Sequence, residues 1–112
     1  MFKLNPAPTF AWAVNLTRPG EAEPVKVEFT FRHKGKAAID EWVKRSGATK
    51  GSGDDAALLG EIIEAWGVQD DAGAPAPLSA ENLRAAVDNF PSLAFEVTTA
   101  YMKALGKSRA KN

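Results

Sequence analysis

Cysteine is absent from the chain, and histidine occurs once, at His33. The first absence excludes disulfides, thiolate nucleophiles and cysteine-ligated metals. The second leaves too few nitrogen ligands for a structural zinc site. No stretch approaches the roughly 18 consecutive apolar residues of a membrane span. Residues 1–6 carry no long apolar run behind a basic start, so they do not read as a secretory leader. The expected location is therefore the cytoplasm, with no membrane contact. An excess of one charge is missing too: 14 basic side chains stand against 14 acidic ones. Duplex nucleic-acid binders carry a basic excess, so the overall balance argues against one.

The charges are unevenly placed. Residues 1–35 hold five basic and three acidic groups, residues 36–90 five and ten, and residues 91–112 four and one. An acidic middle between basic ends can orient a partner or a second copy. At 112 residues and 45% hydrophobic content, the chain fits one globular domain with a small core.

Two segments alternate with a period of two. Phe10, Trp12, Val14 and Leu16 form one apolar row, and Val25, Val27, Phe29 and Phe31 form another. Each row predicts a strand with one buried face. The intervening 17–24 segment contains Pro19-Gly20, a turn pair, so the two strands read as a hairpin with a long loop. From Lys36 the period becomes helical. Ile39, Trp42 and Val43 share a face, and the helix is expected to end near Ser46-Gly47. The glycine-rich stretch 47–53 reads as a flexible link. A second helix is expected from Asp54 or Asp55, with Leu59, Ile62, Ile63 and Trp66 as its stripe, Leu58 on the flank and Gly67 as its stop.

Gly73, Pro75 and Pro77 forbid a regular element over 68–78. Ser79 then reads as a helix cap with Glu81 in the first turn, and Leu83, Val87 and Phe90 as the inner stripe. Pro91 opens a last helix in which Leu93, Val97, Ala100, Tyr101 and Ala104 share a face, closed by Gly106. The expected fold class is α+β, an N-terminal hairpin followed by about four helices. It forms a single domain over 1–106, with a flexible basic tail at 107–112.

The residues offer little for catalysis. His33 lies between Arg32 and Lys34 at a strand end, with no serine or threonine paired to it by spacing. Asp40-Glu41, Asp54-Asp55 and Asp70-Asp71 are adjacent carboxylates that point different ways on a helix or lack the ligand spacing of a calcium loop. Residues 47–53 lack the GxxxxGK[ST] pattern of a phosphate loop. No enzyme activity, cofactor or metal is expected. Trp12, Trp42 and Trp66 all fall on inner faces. Phe95 and Met102, seven residues apart, lie off the inner stripe on one side of the last helix. They are the candidate protein-binding surface.

Several pieces, in order, resemble a known family. They are Phe2-Lys3-Leu4-Asn5-Pro6 with Pro8-Thr9-Phe10 and Trp12, then Val27-Glu28-Phe29-Thr30-Phe31-Arg32-His33-Lys34. Next come Leu59-Gly60-Glu61-Ile62-Ile63-Glu64-Ala65-Trp66-Gly67-Val68, Leu78-Ser79-Ala80-Glu81-Asn82-Leu83 with Asn89-Phe90-Pro91, and the ending from Leu105 to Asn112. Together they resemble the tail assembly chaperones of long-tailed bacteriophages and prophages. The resemblance implies a non-enzymatic protein made in the host cell and not retained in the virion. Its implied partner is the tape-measure protein, held soluble during tail assembly, with the tail-tube protein as a further partner and self-association into a homo-oligomer. It also implies that this chain corresponds to the shorter of two forms related by a frameshift. The alternative reading is a small nucleic-acid-binding or regulatory module that uses the basic tail.

Overall fold

The computed structural model describes residues 2–48 and 55–106. The expected caps at Asp54, most of the glycine-rich link and the 107–112 tail lie outside the described residues. Strands β1 (Thr9–Leu16) and β2 (Val25–Arg32) are followed by helices α1 (Lys36–Ala48) and α2 (Asp55–Ile62). A third strand β3 (Ile63–Trp66) and helices α3 (Ala80–Asn89) and α4 (Leu93–Ala104) complete the order. The sheet order is β1-β2-β3, with both pairings antiparallel. The α+β class with an N-terminal hairpin and four helices is as the sequence predicts.

The hairpin forms where the alternation places it. All eight residues of β1 pair with β2 without a register shift, from Thr9 opposite Arg32 to Leu16 opposite Val25. In the loop, the Glu21 amide donates to the Arg18 carbonyl at 3.0 Å and Gly20 has φ +83°. Proline at the second position and glycine at the third, with positive φ, make this a type II turn. On the helix-facing side Phe29 and Phe31 are fully buried, and Phe10, Leu16, Val25 and Val27 are half-buried. The opposite side carries Ala11, Ala13, Asn15, Lys26, Glu28 and Arg32, all exposed.

The main departure from expectation is at residues 63–66. The predicted second helix stops at Ile62, and the chain passes straight into β3, which pairs with β2. Phe29 faces Trp66, Thr30 faces Ala65, and Phe31 faces Ile63, so Glu64 is an extra residue, a bulge. The bulge explains the misreading. It puts Ile63 and Trp66, three apart, on one side of a strand, and three apart is also the helical spacing. Gly67 therefore ends a strand rather than a helix, and its amide donates to the Glu28 carbonyl at 2.9 Å. Arg32 stabilises the helix-to-strand junction: its Nε donates to Glu64 Oε1 at 2.8 Å and its Nη1 to the Gly60 carbonyl at 3.0 Å. The second bond satisfies one of the carbonyls that a helix C-terminus leaves free.

The core lies between the sheet and the helices. Ile39 and Trp42 come from α1, Ala56, Leu58, Leu59 and Ile62 from α2, Leu83 from α3, and Leu93, Val97 and Tyr101 from α4. Val43, expected on the inner stripe of α1, is exposed, and α1 continues to Ala48. With apolar residues on both flanks, α2 is the central helix, and a helix covered on several sides needs such a broad apolar surface. Trp42 satisfies its buried Nε1 on the Leu58 carbonyl at 3.1 Å. Arg45 and Glu61 add a two-pronged ion pair between α1 and α2, at 2.7 and 2.8 Å.

The stretch over 68–78, expected to hold no regular element, forms no helix but folds back on itself through an antiparallel bridge between Gln69 and Pro75. Asp70 Oδ1 accepts from the amides of Ala72 and Ala74, both at 2.9 Å, and Gly73 takes φ +85°. Trp66 Nε1 donates to the Ala76 carbonyl at 2.8 Å. Ser79 caps α3, its Oγ accepting from the Asn82 amide at 3.1 Å.

Candidate partner-binding surface

The residues weighed for catalysis are scattered. His33 is exposed, and its backbone amide donates to the Pro8 carbonyl at 2.8 Å. Asp40 pairs with Lys36 one helical turn away, Glu41 approaches Arg45, and Asp70 holds the loop described above. Among the described residues no three His, Asp or Glu side chains are grouped to hold a metal ion. No helix among them is long and apolar enough to cross a membrane. The shifted titrations have structural causes. The hydrogen bond from Arg45 holds the Glu61 carboxyl below its usual range, and Arg45 is raised in turn by the same bond. Burial pushes the Tyr101 phenol up to about 12.

What the surface does offer is apolar. Among the described residues the large exposed hydrophobics are Phe2, Leu4, Trp12, Val43 and Phe95. Phe95 is 74% exposed on α4. Met102, grouped with it by sequence, is half-buried and packs against the core. The aromatic that shares a groove with Phe95 is instead Trp12, 39% exposed. Trp12 points to the helix side of the sheet, but β1 is an edge strand and α4 covers it incompletely. The sequence hinted at this through strand order: the first strand of a hairpin is an edge unless a later strand joins it.

The groove runs between β1 and α4. Its floor is the consecutive run from Trp12 to Asn15, and its wall is α4 from Phe95 to Lys103. Consecutive strand residues include both faces of the sheet, so the groove follows the backbone edge of β1. That edge has no strand partner among the described residues. One group just beyond it is satisfied by a side chain: the Thr17 amide donates to Glu96 Oε1 at 3.0 Å, and the Thr17 hydroxyl donates to Glu96 Oε2. An open strand edge beside a helix wall accepts an extended segment through main-chain hydrogen bonds and alternate side-chain pockets.

This is an α+β domain whose distinguishing surface is an aromatic groove along a sheet edge. Over residues 1–112 the chain matches the family model described as phage tail assembly chaperone, and it belongs to that family. No curated protein and no solved structure matches it.

Proposed function

We propose that the chain binds a phage tape-measure protein in the host cytoplasm and keeps it soluble while the tail assembles. It does so without catalysis and does not remain in the virion. The observation that carries this reading is the Trp12–Phe95 groove on a chain of the tail assembly chaperone family. Aromatic side chains on an open surface suit adaptable contact with varied apolar segments. Each contact is weak, so self-association would multiply them by raising effective concentration. The tail-tube protein is a further candidate partner.

The test is co-expression with a tape-measure protein of a long-tailed phage. The expected result is more soluble tape-measure protein and its co-elution with the chain on sizing. Phe95→Asp should abolish both while leaving the circular dichroism spectrum unchanged. Met102→Asp, by contrast, is expected to lower the melting temperature, because that side chain packs on the core. A wild-type chain that neither solubilises nor co-elutes with the tape-measure protein would refute the reading. Retained activity in a folded Phe95→Asp protein would refute the surface.

A further inference from the structure

The two edges of the sheet are treated differently. The β3 edge is four residues long, bulged, and carries Glu64 in an ion pair with Arg32. Short length, a bulge and a charge are the devices by which proteins protect an edge from pairing with another chain. The β1 edge has none of them. It is eight residues long, Thr-Phe-Ala-Trp-Ala-Val-Asn-Leu, with no charge, no proline and no shift in register. An edge so unprotected is a template for strand addition.

A matching segment lies just before it in the same sequence. Phe2 and Leu4 are 99% and 93% exposed. They alternate with Lys3 and Asn5, the period-two pattern of a strand with one apolar side. Laid along β1, two such residues fall beside Trp12 and Val14 on the helix side of the sheet. Lys3 and Asn5 then fall with Ala13 and Asn15 on the open side.

The segment is poorly placed to reach the groove of its own chain. Pro8 is held in line with the hairpin, because its carbonyl accepts from His33 just beyond the Thr9–Arg32 pair. Pro6 and Pro8 bias Asn5 and Ala7 to extended conformations. The chain bends at Leu4, Asn5 and Pro8. Even so, Phe2 and Leu4 stay exposed and do not line the groove of their own chain. We propose that this arm of one copy adds as a strand to the β1 edge of a second copy, seating Phe2 and Leu4 between Trp12 and Phe95. Each copy carries both arm and groove, so an exchanged pair gains two such contacts. The inference needs no client protein for its test, although arm and tape-measure segment would compete for the same groove.

The chain lacks cysteine, which makes the contact directly testable. Asn5→Cys and Ala13→Cys proteins, the second altered at an exposed residue on the open side of β1, are mixed and mildly oxidised. A mixed disulfide dimer is expected, and adding Phe2→Ser and Leu4→Ser to the Asn5→Cys protein should abolish it. Sedimentation of the unaltered chain over a dilution series should show a mass above one chain that falls to one chain in Phe2→Ser/Leu4→Ser. A synthetic Phe-Lys-Leu-Asn-Pro-Ala-Pro peptide should compete. The proposal is overturned if no mixed product forms, or if Lys44→Cys on α1 cross-links to Asn5→Cys equally well. It is also overturned if the double serine variant keeps the parent mass. A protein carrying both Asn5→Cys and Ala13→Cys that closes only within single chains would show the arm on its own β1 edge, and that too overturns it.

Discussion

Tyr101 packs its ring against Phe10, Phe31 and Trp42, with centroids at 6.3, 5.0 and 6.0 Å. Its hydroxyl donates to the Arg32 carbonyl at 2.8 Å. Removing the hydroxyl leaves that carbonyl without this donor, and Tyr101→Phe should cost about 1 kcal/mol near neutral pH, read from denaturant midpoints. The pH dependence is more specific. The phenol, ordinarily at 10.0, is raised to about 12 by burial. Between those values the folded chain keeps a proton that the unfolded chain has lost, so raising the pH favours unfolding. The contribution is intact below about 10 and is lost as the pH rises through about 12. The chain has one tyrosine, so the difference between the parent and Tyr101→Phe stability curves isolates the effect. Curves that run parallel above pH 10 would show that Tyr101 titrates alike in both states.

At the level of elements, the hairpin and the last two helices were legible because each carries a clean period and its own punctuation. Pro19-Gly20 turns the hairpin, Ser79 caps α3, and Gly106, at φ +88°, follows α4. Strand β3 was not legible. Its four residues continue the apolar stripe of α2 without a break, and the bulge at Glu64 hides the period of two. A deletion separates the two descriptions. Without Glu64 a strand regains plain alternation, with Ile63 and Trp66 two apart on the core side. A continuous helix would instead have everything after the deletion rotated by about 100°. The Glu64 deletion is therefore expected to melt cooperatively at a modestly lower temperature, reflecting the lost Arg32 ion pair. A molten chain without a cooperative transition would contradict the bulged-strand pairing.

At the scale of the whole molecule, what sequence periodicity conveys is direction, not coverage. It places Trp12, Trp42 and Trp66 alike on inner faces, yet only Trp42 is fully buried. The difference comes from topology: Trp42 sits under α2 and α4, whereas Trp12 lies on an outer strand where the layer of helices runs out. The same limit applies to Phe95 and Met102. Helical spacing sets them on one side of α4, but their unequal burial depends on what that side meets. The exposed groove was thus only half visible in advance, through Phe95. Its other half follows from which strand ends up at the edge, a property of the assembled sheet.

The contacts that join α4 to the hairpin have a consequence for synthesis. Thr17 is bonded to Glu96, 79 residues later, and Arg32 to Tyr101, 69 residues later. A chain emerging from the ribosome makes its hairpin early, but the aromatic ring that covers Phe10, Phe31 and Trp42 arrives 69 residues after Arg32. Until then the nascent protein carries the kind of exposed apolar surface that promotes aggregation. A fragment ending at Ser92 should therefore accumulate in the pellet unless a folding helper is supplied. Adding residues 93–106 back in the same reading frame should return it to the supernatant, and an equally soluble fragment would show that α4 is dispensable to the core. A protein assigned to keep another chain from aggregating would then pass, during its own birth, through the same hazard.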